Sequence, residues 1–176
     1  MNTRAPAFPW HVFYDQDVPH TLDYPEVPLH ELVRRSFERH PEQTALIFFG
    51  KHLSYKDVGK GVQRLAEALV DLGINAGDRI ALLLPNCPQY VIAYYAILQA
   101  GAVVVPINPL STEAELMYIF RDAGVRMAIA LDLLVDRVEN VRESLRNSGE
   151  DRLLEHVFYT GLNEYMPFPL KVIYPF

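Results

Sequence analysis

Gly77–Pro109, GDRIALLLPNCPQYVIAYYAILQAGAVVVPINP, decides the fold. From Ile80 to Thr112 there is no Asp, Glu, Lys, Arg or His. Ile80-Ala81-Leu82-Leu83-Leu84 is a short apolar run that stops at Pro85, as in a strand covered on both faces of a parallel sheet. Pro88 suits the first turn of a helix, where its missing N–H leaves nothing unpaired. Asn86 or Cys87 stands before it as the cap, and Asn is the better of the two. Gln89 to Ala100 is apolar on every side, so this helix must be covered all round. Gly101 fits the left-handed residue that ends a helix. Ala102-Val103-Val104-Val105 then stops at Pro106 and reads as a second buried strand. Strand, buried helix, strand is a βαβ crossover. Gln89–Ile107 is also long and apolar enough to suggest a transmembrane helix. Gly101, the valine run, Pro106 and the lack of a Lys/Arg cluster at either end weigh against that reading.

Outward from this unit the pattern repeats. Thr44–Phe49 and His52–Ser54 read as strands of a hairpin joined at Gly50-Lys51. Ser54 caps a helix to about Leu72, with Val58, Val62, Leu65, Ala66, Leu69 and Val70 inward and Gly73 at its end. Leu29–His40 is a short amphipathic helix with Leu29, Leu32, Val33 and Phe37 along one face, ended by Pro41. After Pro109, Thr112 and Glu115 form a capping box opening a helix through about Ala123. Its inward face is Leu116, Ile119 and Phe120, and Gly124 closes it. Val125–Leu131 is another buried strand, Asp132 caps a helix to about Arg146, and His156–Thr160 is a further strand. Strands alternating with helices predict an α/β fold: a doubly wound, mainly parallel sheet with helices on both faces.

Residues 1–28 carry Pro6, Pro9, Pro19, Pro25 and Pro28 and predict an extended arm rather than a helix. Its aromatics Phe8, Trp10, Phe13, Tyr14 and Tyr24 either drape over the chain's own surface or pack on a partner subunit as a homodimer contact. The expected organisation is therefore an arm (1–28), an α/β subdomain (29–165) and a Pro-rich tail (166–176), whose apolar end reads as a truncation.

The chain has 176 residues, half of them hydrophobic and 22% charged, enough for a core and unlike a disordered segment. Its net charge of −6 argues against a general nucleic-acid binder. With Cys87 as its one cysteine it forms no internal disulfide. The N-terminus lacks the apolar core of a secretory signal, so a cytoplasmic location is expected. Peripheral attachment at a membrane stays open.

Sites are marked mainly by what is missing. There is no G-x-G-x-x-G after a strand, no G-x-x-x-x-G-K-[ST] phosphate loop and no G-x-S-x-G elbow. The histidines are scattered without H-E-x-x-H, which argues against a zinc site. Cys87 reads as a buried inert thiol before a nucleophile. Tyr90, Tyr94 and Tyr95 read as core packing before a ligand tunnel. Asp78-Arg79 reads as a local turn contact, and the charges of 132–146 as a solvated helix face.

The order of the segments carries a resemblance. Leu53-Ser54-Tyr55, Leu72-Gly73-Ile74, Gly77-Asp78-Arg79-Ile80-Ala81, Leu84-Pro85-Asn86-Cys87-Pro88, Ala96–Ala102 and Val105-Pro106-Ile107-Asn108-Pro109 follow one another here. This succession, over about Leu29 to Thr160, resembles the N-terminal part of AMP-forming acyl-CoA synthetases of the adenylate-forming superfamily. Pro167-Phe168-Pro169 with Tyr174-Pro175 resembles its long-chain fatty-acid branch. The resemblance implies an incomplete large domain of an enzyme joining a fatty acid to CoA through an acyl-adenylate, with ATP, Mg2+ and CoA. The family's Ser/Thr/Gly-rich phosphate loop, ribose-binding acidic residue, hinge and catalytic lysine have no counterpart here. No catalytic, cofactor-binding or metal-ligating residue is therefore assigned. This chain would supply scaffold and part of the acyl-substrate wall, inactive by itself and completed by the rest of its parent chain. A non-catalytic binding module of the same fold is the alternative. An unrelated nucleotide-binding domain is disfavoured by the missing glycine motifs.

Overall fold

A computed structural model describes residues 8–173. Two strands, β1 (Thr44–Phe48) and β2 (Lys51–Ser54), pair antiparallel. Four more, β3 (Arg79–Leu83), β4 (Val103–Pro106), β5 (Val125–Leu131) and β6 (His156–Thr160), form a wholly parallel sheet in the order β4-β3-β5-β6. The helices are α1 (Leu29–Arg39), α2 (Tyr55–Asp71), α3 (Pro88–Gln99), α4 (Glu113–Ala123) and α5 (Val135–Asn147). The step from β3 to β4 runs one way along the sheet and the step from β5 to β6 the other. Right-handed crossovers then put α3 and α5 on opposite faces. The packing agrees: α3 lies on α2, and α4 lies on α5. The doubly wound parallel sheet expected from the sequence is the fold observed.

The core sits where the charge-free stretch predicts it. Ile80, Ala81, Leu82 and Leu83 of β3 are buried, with β5 beside them. Leu116 and Phe120 of α4, and Val138, Val141 and Leu145 of α5, belong to the same core. Each such aliphatic or aromatic side chain contributes about 1.5–3 kcal/mol on burial. Residues 87–98, from the cap of α3 through nearly all of the helix, include no exposed residue. Cys87 rather than Asn86 is its N-cap, with Pro88 opening the helix. Two capping boxes fix where α2 and α4 start. Asp57 N–H donates to Ser54 Oγ (3.1 Å) while Ser54 N–H donates to Asp57 Oδ2 (3.1 Å). Glu115 N–H donates to Thr112 Oγ1 (3.3 Å) and Thr112 N–H to Glu115 Oε2 (2.8 Å).

Several expectations are corrected. β4 is not covered on both faces: it is an edge strand, with Val103 45% exposed and Val104 and Val105 half-buried. Pro106, which has no N–H to give, is tolerated there. The hairpin turns at Phe49-Gly50, not Gly50-Lys51. Both turn residues have positive φ (47° and 81°), and Lys51 already pairs with Phe48. Leu29 and Leu32 of α1 face outward, leaving the half-buried Val33 and Phe37 on its inner side. Val70 lies one residue past Leu69, about 100° further round α2, and is exposed. Asp132 does not cap α5; it opens a 3-10 turn, Asp132–Leu134, and Leu134 is the cap. The arm is not wholly extended, because Pro9–Phe13 forms a 3-10 turn. In the tail, Met166 is buried and Leu170–Ile173 makes one helical turn, while Tyr174-Pro175 lies outside the described residues. Among the described residues no helix is long and apolar enough to cross a membrane.

Candidate functional site

In open parallel sheets, ligands bind beyond the carboxyl ends of the strands, where neighbouring strands send their connections opposite ways. Here that point lies between β3 and β5. Three segments emerge near it: Leu84–Pro88 after β3, Asp132–Leu134 after β5, and Gly161–Tyr165 after β6.

Gln89, in the first turn of α3, joins the first segment to the third. It is only 7% exposed, and its Nε2 donates to the Gly161 carbonyl at 2.8 Å. That bond fixes which amide atom is which, since the reverse placement sets two acceptors face to face. Its Oε1 is buried with no hydrogen-bond partner. Gly161 is itself crowded: a Cβ there would lie 2.5 Å from Asn163 Oδ1 and 2.8 Å from Asp132 Oδ2. The Asp132 carboxylate, the Asn163 amide and the Gln89 amide therefore gather on one stretch of backbone. The Asp132 carboxylate only accepts, whereas each of the two amides carries an NH2 donor beside its acceptor oxygen. The carboxylate repels the like charge of a phosphate, and no step through ATP is routed here. Among the described residues no group of His, Cys, Asp and Glu is placed to hold a metal ion.

Beside this edge, an open cleft of ≈ 310 Å³ runs between β1 and the start of α3, lined by Leu46, Phe48, Asn86, Cys87, Tyr90 and Val91 among others. Cys87 is buried, and burial pushes its thiol pKa up, which suits packing and not nucleophilic attack. Tyr94 and Tyr95 meet edge to face with ring centres 5.5 Å apart and pack in the core; Tyr90 does so too while also lining the cleft.

The opposite, amino end of the sheet is stitched by arginines. Arg79 donates to the carbonyls of Ala123 (2.9 Å), Gly124 (2.9 Å) and Gly77 (3.1 Å). Arg126 pairs with Asp78 (2.7 Å) and Glu155 (2.7 Å). The Asn75 amide, foremost, and Arg126 hold the Asp78 carboxyl below its usual range. The local turn contact expected for Asp78-Arg79 is there in part, with Asn75 N–H donating to Asp78 Oδ2 (2.8 Å), but Arg79 and Asp78 chiefly tie together segments far apart in the chain. The charges on α5 are only partly a solvated face. Arg137 donates to the Ser111 carbonyl (2.9 Å), Arg142 to those of Leu154 (2.9 Å) and Glu155 (2.7 Å), and Glu139 accepts from Tyr159 Oη (2.9 Å). Gln89, Gly161 and Asn163 were not singled out from the sequence. A glutamine in the first turn of an otherwise apolar helix, whose one other glutamine, Gln99, closes it, was the one available signal.

This architecture, with its polar carboxyl edge, is that of a doubly wound α/β domain. More particularly, the chain belongs to the AMP-binding enzyme family, whose model matches residues 33–165. It is 40% identical over 167 residues to the long-chain-fatty-acid–CoA ligase of Bacillus subtilis, covering 95% of this chain and 29% of that protein. It is 30% identical over 159 residues to the ligase of the same name from Salmonella typhimurium, covering 89% and 27%. The chain thus spans less than a third of the curated relatives it matches. Among solved structures it is similar to a benzoate CoA ligase from Burkholderia xenovorans (TM-score 0.64, 29% identity, 67% of this chain and 24% of that one). A long-chain-fatty-acid-CoA ligase from Archaeoglobus fulgidus shares the fold (TM-score 0.69, 24% identity, covering 83% and 31%).

Proposed function

We propose that this chain is the leading part of the large domain of a long-chain fatty-acid–CoA ligase. The whole enzyme would convert a fatty acid, ATP and CoA to acyl-CoA, AMP and pyrophosphate, with Mg2+ neutralising phosphate charge. The observation that carries this reading is the 40% identity to the Bacillus subtilis ligase along nearly the full chain. In it, residues 29–165 are scaffold and part of the wall of the acyl site, the carboxyl edge faces the remainder of the enzyme, and the chain works in the cytoplasm. No residue here supplies phosphate binding or acid activation, so the 176-residue chain forms no acyl-adenylate by itself.

The test is a chimera in which this chain replaces the matching leading segment of the Bacillus subtilis ligase. Acyl-CoA formation from a long-chain acid is expected to survive. A folded chimera that activates no long-chain acid overturns the substrate assignment. ATP–pyrophosphate exchange by the 176-residue chain alone overturns its inactivity.

A further inference from the structure

The arm closes on itself around one imidazole. Phe8 N–H donates to His11 Nδ1 (3.3 Å), and His11 N–H donates back to the Phe8 carbonyl (3.0 Å). His11 is 8% exposed, although almost everything around it in the arm is exposed. Its ring meets Phe8 and Trp10 at right angles, with centres 5.4 and 6.2 Å away, and Tyr14 at 5.4 Å. His20 stacks on it at 4.1 Å. Phe8 and Trp10 lie parallel, 4.6 Å apart.

This arrangement requires a neutral His11. Because Nδ1 accepts, the ring proton sits on Nε2. A proton added at Nδ1 turns that acceptor into a donor facing the Phe8 N–H, which breaks the bond that ties the turn. It also places a charge in a buried ring against the face of a second imidazole. The titratable groups against the ring are His20 and the Tyr14 phenol. Asp15, Asp17 and Asp23 nearby in the chain are exposed. Among the described residues no ion pair reaches either histidine.

We propose that the His11–His20 stack is a proton-operated latch on the arm, closed while His11 is neutral and opened by its protonation, which frees Phe8, Trp10 and Tyr14 from one another. Burial and, after it, His20 both hold the His11 pKa below its ordinary value. The latch is therefore at full strength above the ordinary histidine pKa of about 6.5 and is lost as pH falls from there through the lowered folded value.

Trp10 is the chain's single tryptophan and reports the latch directly. Acrylamide quenching of its fluorescence is followed in the 176-residue chain from pH 8 to pH 5, with far-UV circular dichroism recorded on the same samples. The quenching constant is expected to rise below about pH 6.5. The rise is at most about twofold, since Trp10 starts 52% exposed, and the dichroism stays constant. His11→Asn keeps an acceptor for the Phe8 N–H but does not titrate, so its curve stays flat. His20→Gln removes the like charge and moves the midpoint to higher pH. A flat wild-type curve, a transition surviving in His11→Asn, or a dichroism change coincident with the quenching overturns the latch. If His11→Asn is already open at pH 8, the His20→Gln midpoint decides, and a midpoint that fails to rise overturns it.

Discussion

Substituting Gly161 by alanine tests the crowding at the carboxyl edge. The new methyl carbon would lie 2.5 Å from Asn163 Oδ1 and 2.8 Å from Asp132 Oδ2, whereas ordinary contact begins at 3.4 Å. Backbone strain adds nothing, because Gly161 has φ −98° and ψ 142°, which any residue adopts. The whole effect is displacement of two polar side-chain ends on half-buried residues, which can turn aside, so the cost is the lower end of overpacking, about 1 kcal/mol. In urea, where a domain of this size loses about 1–3 kcal/mol of stability per molar, the unfolding midpoint should fall by roughly 0.5 M. A double-mutant cycle isolates the cause. Asn163→Ala removes the nearer oxygen, so the double variant should recover at least half of what Gly161→Ala loses. The reasoning is refuted if Gly161→Ala changes stability by less than about 0.5 kcal/mol, or if the two substitutions simply add.

Gln89→Met deletes the bond to the Gly161 carbonyl and the orphan Oε1 together, and these opposite effects should leave stability within about 1 kcal/mol by thermal melting. Gln89→Glu must be protonated to donate to Gly161. Its carboxyl pKa is raised on folding, so its stability is present at low pH and lost as pH rises through the ordinary range, and the deficit should be larger at pH 8 than at pH 4. Arg126→Met removes both partly buried ion pairs at the amino end and should cost about 1–3 kcal/mol at pH 7. The lowered Asp78 pKa is stabilising above the ordinary carboxylate range and lost as pH falls through its folded value, so the deficit should narrow between pH 5 and pH 2 in a stability–pH profile. Val103→Lys on the exposed rim of β4 should change stability by less than about 0.5 kcal/mol in urea unfolding.

The parts of the fold legible in the sequence are those written in contiguous residues. The β3–α3–β4 unit is one uninterrupted apolar stretch punctuated by Pro85, Pro88, Gly101 and Pro106, and the Thr112/Glu115 box states its own helix start. What was not legible depends on neighbours. A valine run looks the same at the centre of a sheet and at its rim, so β4 was placed inside when it lies outside. Arg137 and Arg142 have the spacing of a solvated face, yet their targets are backbone carbonyls on other segments. The polar cluster is the extreme case. Gln89, Asp132 and Asn163 come from three separate segments with no fixed spacing, and only the meeting of the strand ends brings them together on Gly161.

The strand order also governs how the sheet is built during synthesis. β3 leaves the ribosome first and ends up inside; β4 joins one flank, β5 the other, and β6 is laid against β5. No later strand has to pry apart two that are already paired. The sheet grows outward as its chain lengthens, and each arrival docks on a rim that is still free.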